Sequence, residues 1–87
     1  MNREMRAVFR VLSDPRRFQI LRHIAAGDRT PCVDLRAAFP ITAATLSHHL
    51  KELEAAGLIE TERQGKFVYV TFCRDRWDRY LDELRTL

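Results

Sequence analysis

The 87-residue sequence predicts a mainly α domain with a small β-hairpin, in the order α-α-α-α-β-β-α. Three observations carry that prediction. Apolar residues recur at i, i+3, i+4 and i+7 in several separate segments, the period of an amphipathic helix. Only Pro40 and Ile41 separate a short helical segment from a longer one capped at Thr42. After Gly57 the period shortens from 3.6 to 2, over two runs rich in β-branched and aromatic residues.

Residues 3–12 place Met5, Val8, Phe9 and Leu12 on one stripe, with Arg3, Arg6 and Arg10 mainly off it. Ser13-Asp14-Pro15 ends that helix and starts the next, Asp14 as N-cap and Pro15 at the first helical position. The second helix runs to about Ala26, with Phe18, Leu21, Ile24 and Ala25 on its buried side, and Gly27 closes it. Pro31 to Phe39 reads as a short helix burying Val33 or Leu35, Ala38 and Phe39, and Pro40 ends it.

The segment 42–56 carries its own start and stop signals. The Thr42 hydroxyl can accept from a backbone N–H one turn on, and Ile41 with Leu46 stand at the N′ and N4 positions of a hydrophobic staple. Gly57 can supply the left-handed residue that ends the helix. At 100° per residue, Ala43, Leu46, Leu50 and Leu53 fall on a side that must be buried. Ala44, Ser47, His48, Lys51 and Ala55 fall opposite, flanked by Thr45 and Glu52. His49 lies at the edge of the buried stripe and is expected to pack or bond internally.

Leu58–Arg63 and Lys66–Phe72 read as two strands with Gln64-Gly65 as the turn between them, so that Arg63 and Lys66 flank the tip. A last helix, Arg76 to Leu87 capped by Asp75, aligns Trp77, Tyr80, Leu81 and Leu84. Its other face alternates acids and arginines.

Length and charge bound the function. A chain this short makes one domain, residues 1–87, and buries only ~60% of the surface it exposes when unfolded. An apolar content of 46% belongs to a folded globule. No apolar run nears the ~20 residues of a membrane span and no signal-peptide pattern opens the chain, so a cytoplasmic protein is expected. The net charge is +3, unevenly placed: residues 1–51 hold nine Arg/Lys against four Asp/Glu. That half favours a polyanionic partner.

Two helices joined by so tight a turn, the second slim and polar outside, form a helix-turn-helix. A hairpin with cations at its tip just after it is a wing. The face suits a DNA major groove, with phosphate contacts from Thr45, Lys51, Arg63 and Lys66 and base-edge readout from Ser47 and His48. Thr42 and Ala44 lie at the same end of the helix. The two terminal stripes exceed what a small core absorbs, so Met5, Val8, Phe9, Leu12, Trp77, Tyr80, Leu81 and Leu84 are expected to form a two-fold dimer interface. The competing expectation is a winged helix used for protein–protein contact, which Glu52, Glu54, Glu60 and Glu62 beside the recognition surface would suit. Catalysis is not expected: no Gly-rich phosphate loop, acid/base pair or partnered nucleophile is legible.

Leu12-Ser13-Asp14-Pro15-Arg16-Arg17-Phe18-Gln19-Ile20-Leu21, Thr45 to Ile59 and Arg63-Gln64-Gly65-Lys66-Phe67-Val68-Tyr69 together resemble the ArsR/SmtB-type winged-helix repressors. The likeness spans nearly the whole chain. It implies a homodimer built from the first and last helices, bound to a pseudo-palindromic operator and released by an inducer whose identity the sequence does not reveal. It also implies that Thr45, Ser47, His48 and Lys51 lie near DNA, with Arg63 and Lys66 on the wing.

The family's metal sensors commonly carry Cys-Val-Cys-Asp-Leu ahead of the recognition helix, where this chain has Pro31-Cys32-Val33-Asp34-Leu35. One thiolate out of register is a poor soft-metal site. The family's second metal site uses Asp and His on the last helix, and residues 74–87 contain no His. No metal and no cofactor are expected. Cys32 and Cys73 stand as reduced thiols and as the only candidates for a redox switch.

Overall fold

The computed structural model describes residues 2–87. Five helices and three strands follow in order: α1 (Arg3–Leu12), α2 (Pro15–Ala26), β1 (Thr30–Pro31), α3 (Cys32–Ala38), α4 (Ala43–Ala55), β2 (Ile59–Gln64), β3 (Phe67–Phe72) and α5 (Arg74–Arg85). The α-α-α-α-β-β-α order therefore gains a strand. Thr30 and Pro31 pair antiparallel with Val70 and Tyr69, making a three-stranded sheet of order β1-β3-β2. Two residues are too few to show a period of 2, which is why the pattern hid this strand. Pro31 has no N–H to offer a ladder, and it sits on an edge strand, where that is tolerated.

The helix ends are set locally. Asp14 Oδ1 accepts from the Arg17 N–H at 3.1 Å, and Pro15 opens α2. The Arg17 N–H holds the Asp14 carboxyl below its ordinary pKa. Thr42 Oγ1 accepts from the Thr45 N–H at 3.1 Å. At the far end of α4, Gly57 has φ 78°, its N–H reaches the Glu54 carbonyl at 2.9 Å, and the Leu58 N–H reaches the Leu53 carbonyl at 3.0 Å. This is a Schellman motif, and Leu53 and Leu58, both fully buried, make the apolar contact that accompanies it. Helix α5 begins two residues earlier than its pattern predicts. Asp75 lies in its first turn, and Cys73 is the cap residue without a side-chain cap bond.

In the hairpin, Gln64 pairs with Phe67, so the two-residue turn is Gly65-Lys66 rather than Gln64-Gly65. Gly65 at φ 60° stands first in it, the position a type II′ hairpin turn reserves for glycine. Lys66 thereby moves onto the tip itself.

The core gathers Ile20, Leu21 and Ile24 of α2, Leu35 of α3, Leu46, Leu50 and Leu53 of α4, and Leu58, Ile59 and Val70 of the sheet region. Met5, Val8 and Val11 of α1 and Tyr80 of α5 join it. Several side chains expected inside lie outside. Ala38 and Ala43 are exposed, while of the alternatives Val33 and Leu35 it is Leu35 that is buried, with Cys32 and Phe39 packed half-buried against the core. Phe18 is exposed because α2 turns Ile20, Leu21 and Ile24 inward. The α1 stripe is likewise rotated toward Val11 and leaves Phe9 39% exposed.

Candidate nucleic-acid interface

Helix α4 presents Thr42, Ala44, Thr45, Ser47, His48 and Lys51 to solvent, as its pattern predicts. The Thr42 hydroxyl donates to Thr45 Oγ1 at 2.9 Å, which leaves the Thr45 hydroxyl its own proton to donate outward. Arg63 on β2 and Lys66 in the turn are exposed, with the Lys66 ammonium 5.6 Å from the Phe67 ring centroid. The structure brings Ser47, Lys51 and Arg63 to one cleft of about 380 Å³ between α3, α4 and the hairpin. Arg36 of α3 lines the same cleft and was missed, since nothing in a short helix identifies which of its faces looks toward α4.

Four ties, three of them buried or half-buried, hold α4 in one rotation. The first is the apolar set Leu46, Leu50 and Leu53. The second is His49, only 7% exposed, whose Nδ1 accepts from Arg17 Nε at 3.3 Å. Arg17 also donates from Nη1 to the Val11 carbonyl at 3.3 Å, linking α1, α2 and α4 through one guanidinium. The third is Glu54, whose Oε2 accepts from both the Thr61 N–H at 3.0 Å and its hydroxyl at 2.7 Å. The fourth is Tyr80, whose hydroxyl donates to the Ala56 carbonyl at 3.2 Å, fixing the end of α4 against α5. His49 thus bonds internally. Arg17 was legible in principle: at 100° per residue it falls between Leu21 and Ile24, on the buried side of α2.

Burial pushes the His49 pKa below its ordinary value of 6.5; Asp14 opposes that shift, while Arg17, His48 and Arg16 reinforce it. The neutral ring is the form whose Nδ1 can accept from Arg17. A pKa lowered on folding gives stability that is complete above the unfolded value and lost as pH falls through the folded one. Acidification from about pH 7 to about pH 5 is therefore expected to lower the urea midpoint, and His49→Gln to flatten that dependence. An identical slope in both proteins would remove His49 from this role.

The acids near the face are partly spent on structure. Glu54 is held by Thr61, and Glu62 pairs with Arg29 at 3.6 Å. Arg29 also sits 3.8 Å from the Tyr69 ring centroid, bracing the base of the hairpin. Cys32 and Cys73 are free thiols. Burial raises the pKa of both, and Glu60 and Glu54 add to this at Cys73 against Arg76. Such thiols stay protonated near neutrality and are weak nucleophiles. Among the described residues, no three His, Cys, Asp or Glu side chains gather into a metal-binding group.

The terminal stripes divide. Met5, Val8 and Tyr80 are covered by the chain's own core. Phe9 and Leu84 remain 39% and 40% exposed, and Leu12, Trp77 and Leu81 are half-buried. Among the described residues, no helix is long and apolar enough to cross a membrane.

A tight helix pair, a polar exposed face on its second helix and a cationic hairpin alongside define a winged helix-turn-helix. Residues 12–62 match the family profile described as a helix-turn-helix domain. The chain is 40% identical over 65 residues to the transcriptional repressor SdpR of Bacillus subtilis (strain 168), covering 75% of this chain and 71% of that protein. It is 38% identical over 63 residues to the arsenical resistance operon repressor of Staphylococcus xylosus, covering 72% of this chain and 60% of the relative. A solved structure of an ArsR-like transcriptional regulator from Rhodococcus sp. RHA1 superposes with a TM-score of 0.84 at 25% identity, over 95% of this chain and 77% of that one. The chain belongs to the ArsR/SmtB-type family of winged helix-turn-helix transcriptional regulators.

Proposed function

We propose that this protein is a homodimeric, cytoplasmic, non-catalytic repressor that binds a pseudo-palindromic operator and works without a bound metal or cofactor. The observation that carries the reading is the exposed Ser47–His48–Lys51 face of α4, rotationally locked and bordered by Arg36 and Arg63, with Lys66 exposed at the hairpin tip. Lys51, Arg36, Arg63, Lys66 and the Thr45 hydroxyl supply phosphate contacts, and Ser47 and His48 read base edges. Thr42 and Ala44 keep the helix entry slim.

Phe9 and Leu84, with Leu12, Trp77 and Leu81, supply the apolar surface for a two-fold partner along α1 and α5. In such a dimer the two α4 helices stand ~34 Å apart to enter successive major grooves. Phe9→Glu with Leu84→Glu is expected to convert a dimer to a monomer in sedimentation experiments and to weaken operator binding. A wild-type monomer at micromolar concentration would reject the dimer.

Mobility shift on a fragment carrying the protein's own promoter tests the DNA face. His48→Ala is expected to relax sequence preference, costing about 1–3 kcal/mol at one base pair, while Lys51→Ala weakens all sequences alike. Unchanged affinity in both variants would sink the assignment.

A further inference from the structure

We propose that the cleft between α2, the end of β3 and the start of α5 is a binding site for a small organic monoanion: a carboxylate on a compact apolar body. The cleft holds about 330 Å³, at the low end of the ~300–1,000 Å³ common for small-molecule sites. Phe18, Leu21 and Ala25 of α2 form one wall, and Phe72 and Trp77 the other. Phe72 and Trp77 are themselves packed at a 6.0 Å centroid distance. Phe18 is the telling residue on this surface, a large aromatic ring left 38% exposed on a helix whose inward side is already filled.

Two cations complete the lining, Arg22 and Arg74, and no acid joins them. Among the described residues neither arginine takes part in a salt bridge; those found are Arg29–Glu62 and Arg85–Asp82. The Arg74 guanidinium carbon sits 4.8 Å from the Phe72 ring centroid, a stacked position that leaves its N–H donors free at the rim. An adjoining cleft on the other side of Arg74 sets Arg76 and Arg79 beside Glu60 and Asp75, so only the α2 side is lined by cations without an acid. Apolar walls with two unpaired guanidinium groups match a ligand with one apolar end and one carboxylate, which arginine binds through paired N–H donors. Covering the same cleft with an apolar protein face would bury both arginines without counter-charge.

Trp77 is the protein's single tryptophan, so its emission reports directly on the cleft. DNA-free protein is titrated with phenylbutyrate and, separately, with the uncharged phenylbutanol. Saturable change in Trp77 emission is expected with the carboxylate, and binding about tenfold weaker with the alcohol. Arg22→Ala with Arg74→Ala is expected to weaken phenylbutyrate about tenfold while leaving phenylbutanol unchanged. No emission change, equal affinity for both probes, or an unaffected double variant would overturn the proposal. The titrations are run at a protein concentration where sedimentation shows a single species, so that pairing of copies along α1 and α5 does not enter the emission change. Because no DNA is present, failure here is distinct from failure of the operator-binding reading.

Discussion

Replacing Arg36, Lys51 and Arg63 together by alanine is expected to abolish most of the salt dependence of DNA binding while leaving the fold intact. Each phosphate neutralised by a protein cation releases counterions and contributes ~0.9 to the slope of log affinity against log salt. Three lost contacts in each protomer, six in the dimer, should therefore flatten the slope by roughly 5 and weaken binding by more than about 100-fold near 0.1 M salt. All three residues line one cleft beside Ser47, are exposed, and take no part in a salt bridge among the described residues. Surface substitutions of this kind usually change stability by no more than about 0.5 kcal/mol. Fluorescence anisotropy at several salt concentrations measures the slope, and thermal melting checks the fold. A slope unchanged from wild type would place the phosphates elsewhere.

Leu53→Ala should be the most damaging single change in α4. Leu53 is fully buried, its carbonyl accepts the Leu58 N–H in the motif that ends the helix, and it packs where α4 meets the sheet. Leu→Ala at such sites costs about 2–5 kcal/mol through lost burial and a residual cavity. At ~0.05–0.15 kcal/mol per residue, a domain of this size has only roughly 4–13 kcal/mol in total. Urea unfolding followed by circular dichroism is expected to show a lower midpoint with little change in slope. Leu53→Met keeps the volume and should cost less than about 1.5 kcal/mol. A loss below about 1 kcal/mol in the alanine variant would contradict the packing described here.

How far the residues themselves disclose the fold can be judged along α4. Thr42, Gly57 and the Leu46-Leu50-Leu53 spacing are local signals, each acting within one or two turns, and all three are met in the structure. The same spacing placed His49 inward before any partner was known. Ala43 falls inward by angle yet is exposed, on the wall of the open cleft between α3, α4 and the hairpin. The exposed face followed because a residue's side of a helix depends only on its position. Arg36 did not, because its place beside Lys51 depends on how α3 and α4 cross.

By itself the sequence determined the helices, the caps of α2 and α4, the two strands of the hairpin and the polar face of Ile41–Gly57, because capping and periodicity are short-range effects. Family membership was legible for the same reason, as three motifs in fixed order. Only the tertiary structure decided the partners of the inward polar groups: Arg17 with His49, Glu54 with Thr61, and Tyr80 with Ala56. It also decided that Met5, Val8 and Tyr80 are spent within the chain while Phe9, Phe18 and Leu84 stay exposed. An amphipathic stripe states that a face must be covered. Which residues at its edges are covered, and by what, depends on the angle and depth at which helices distant in sequence come to pack.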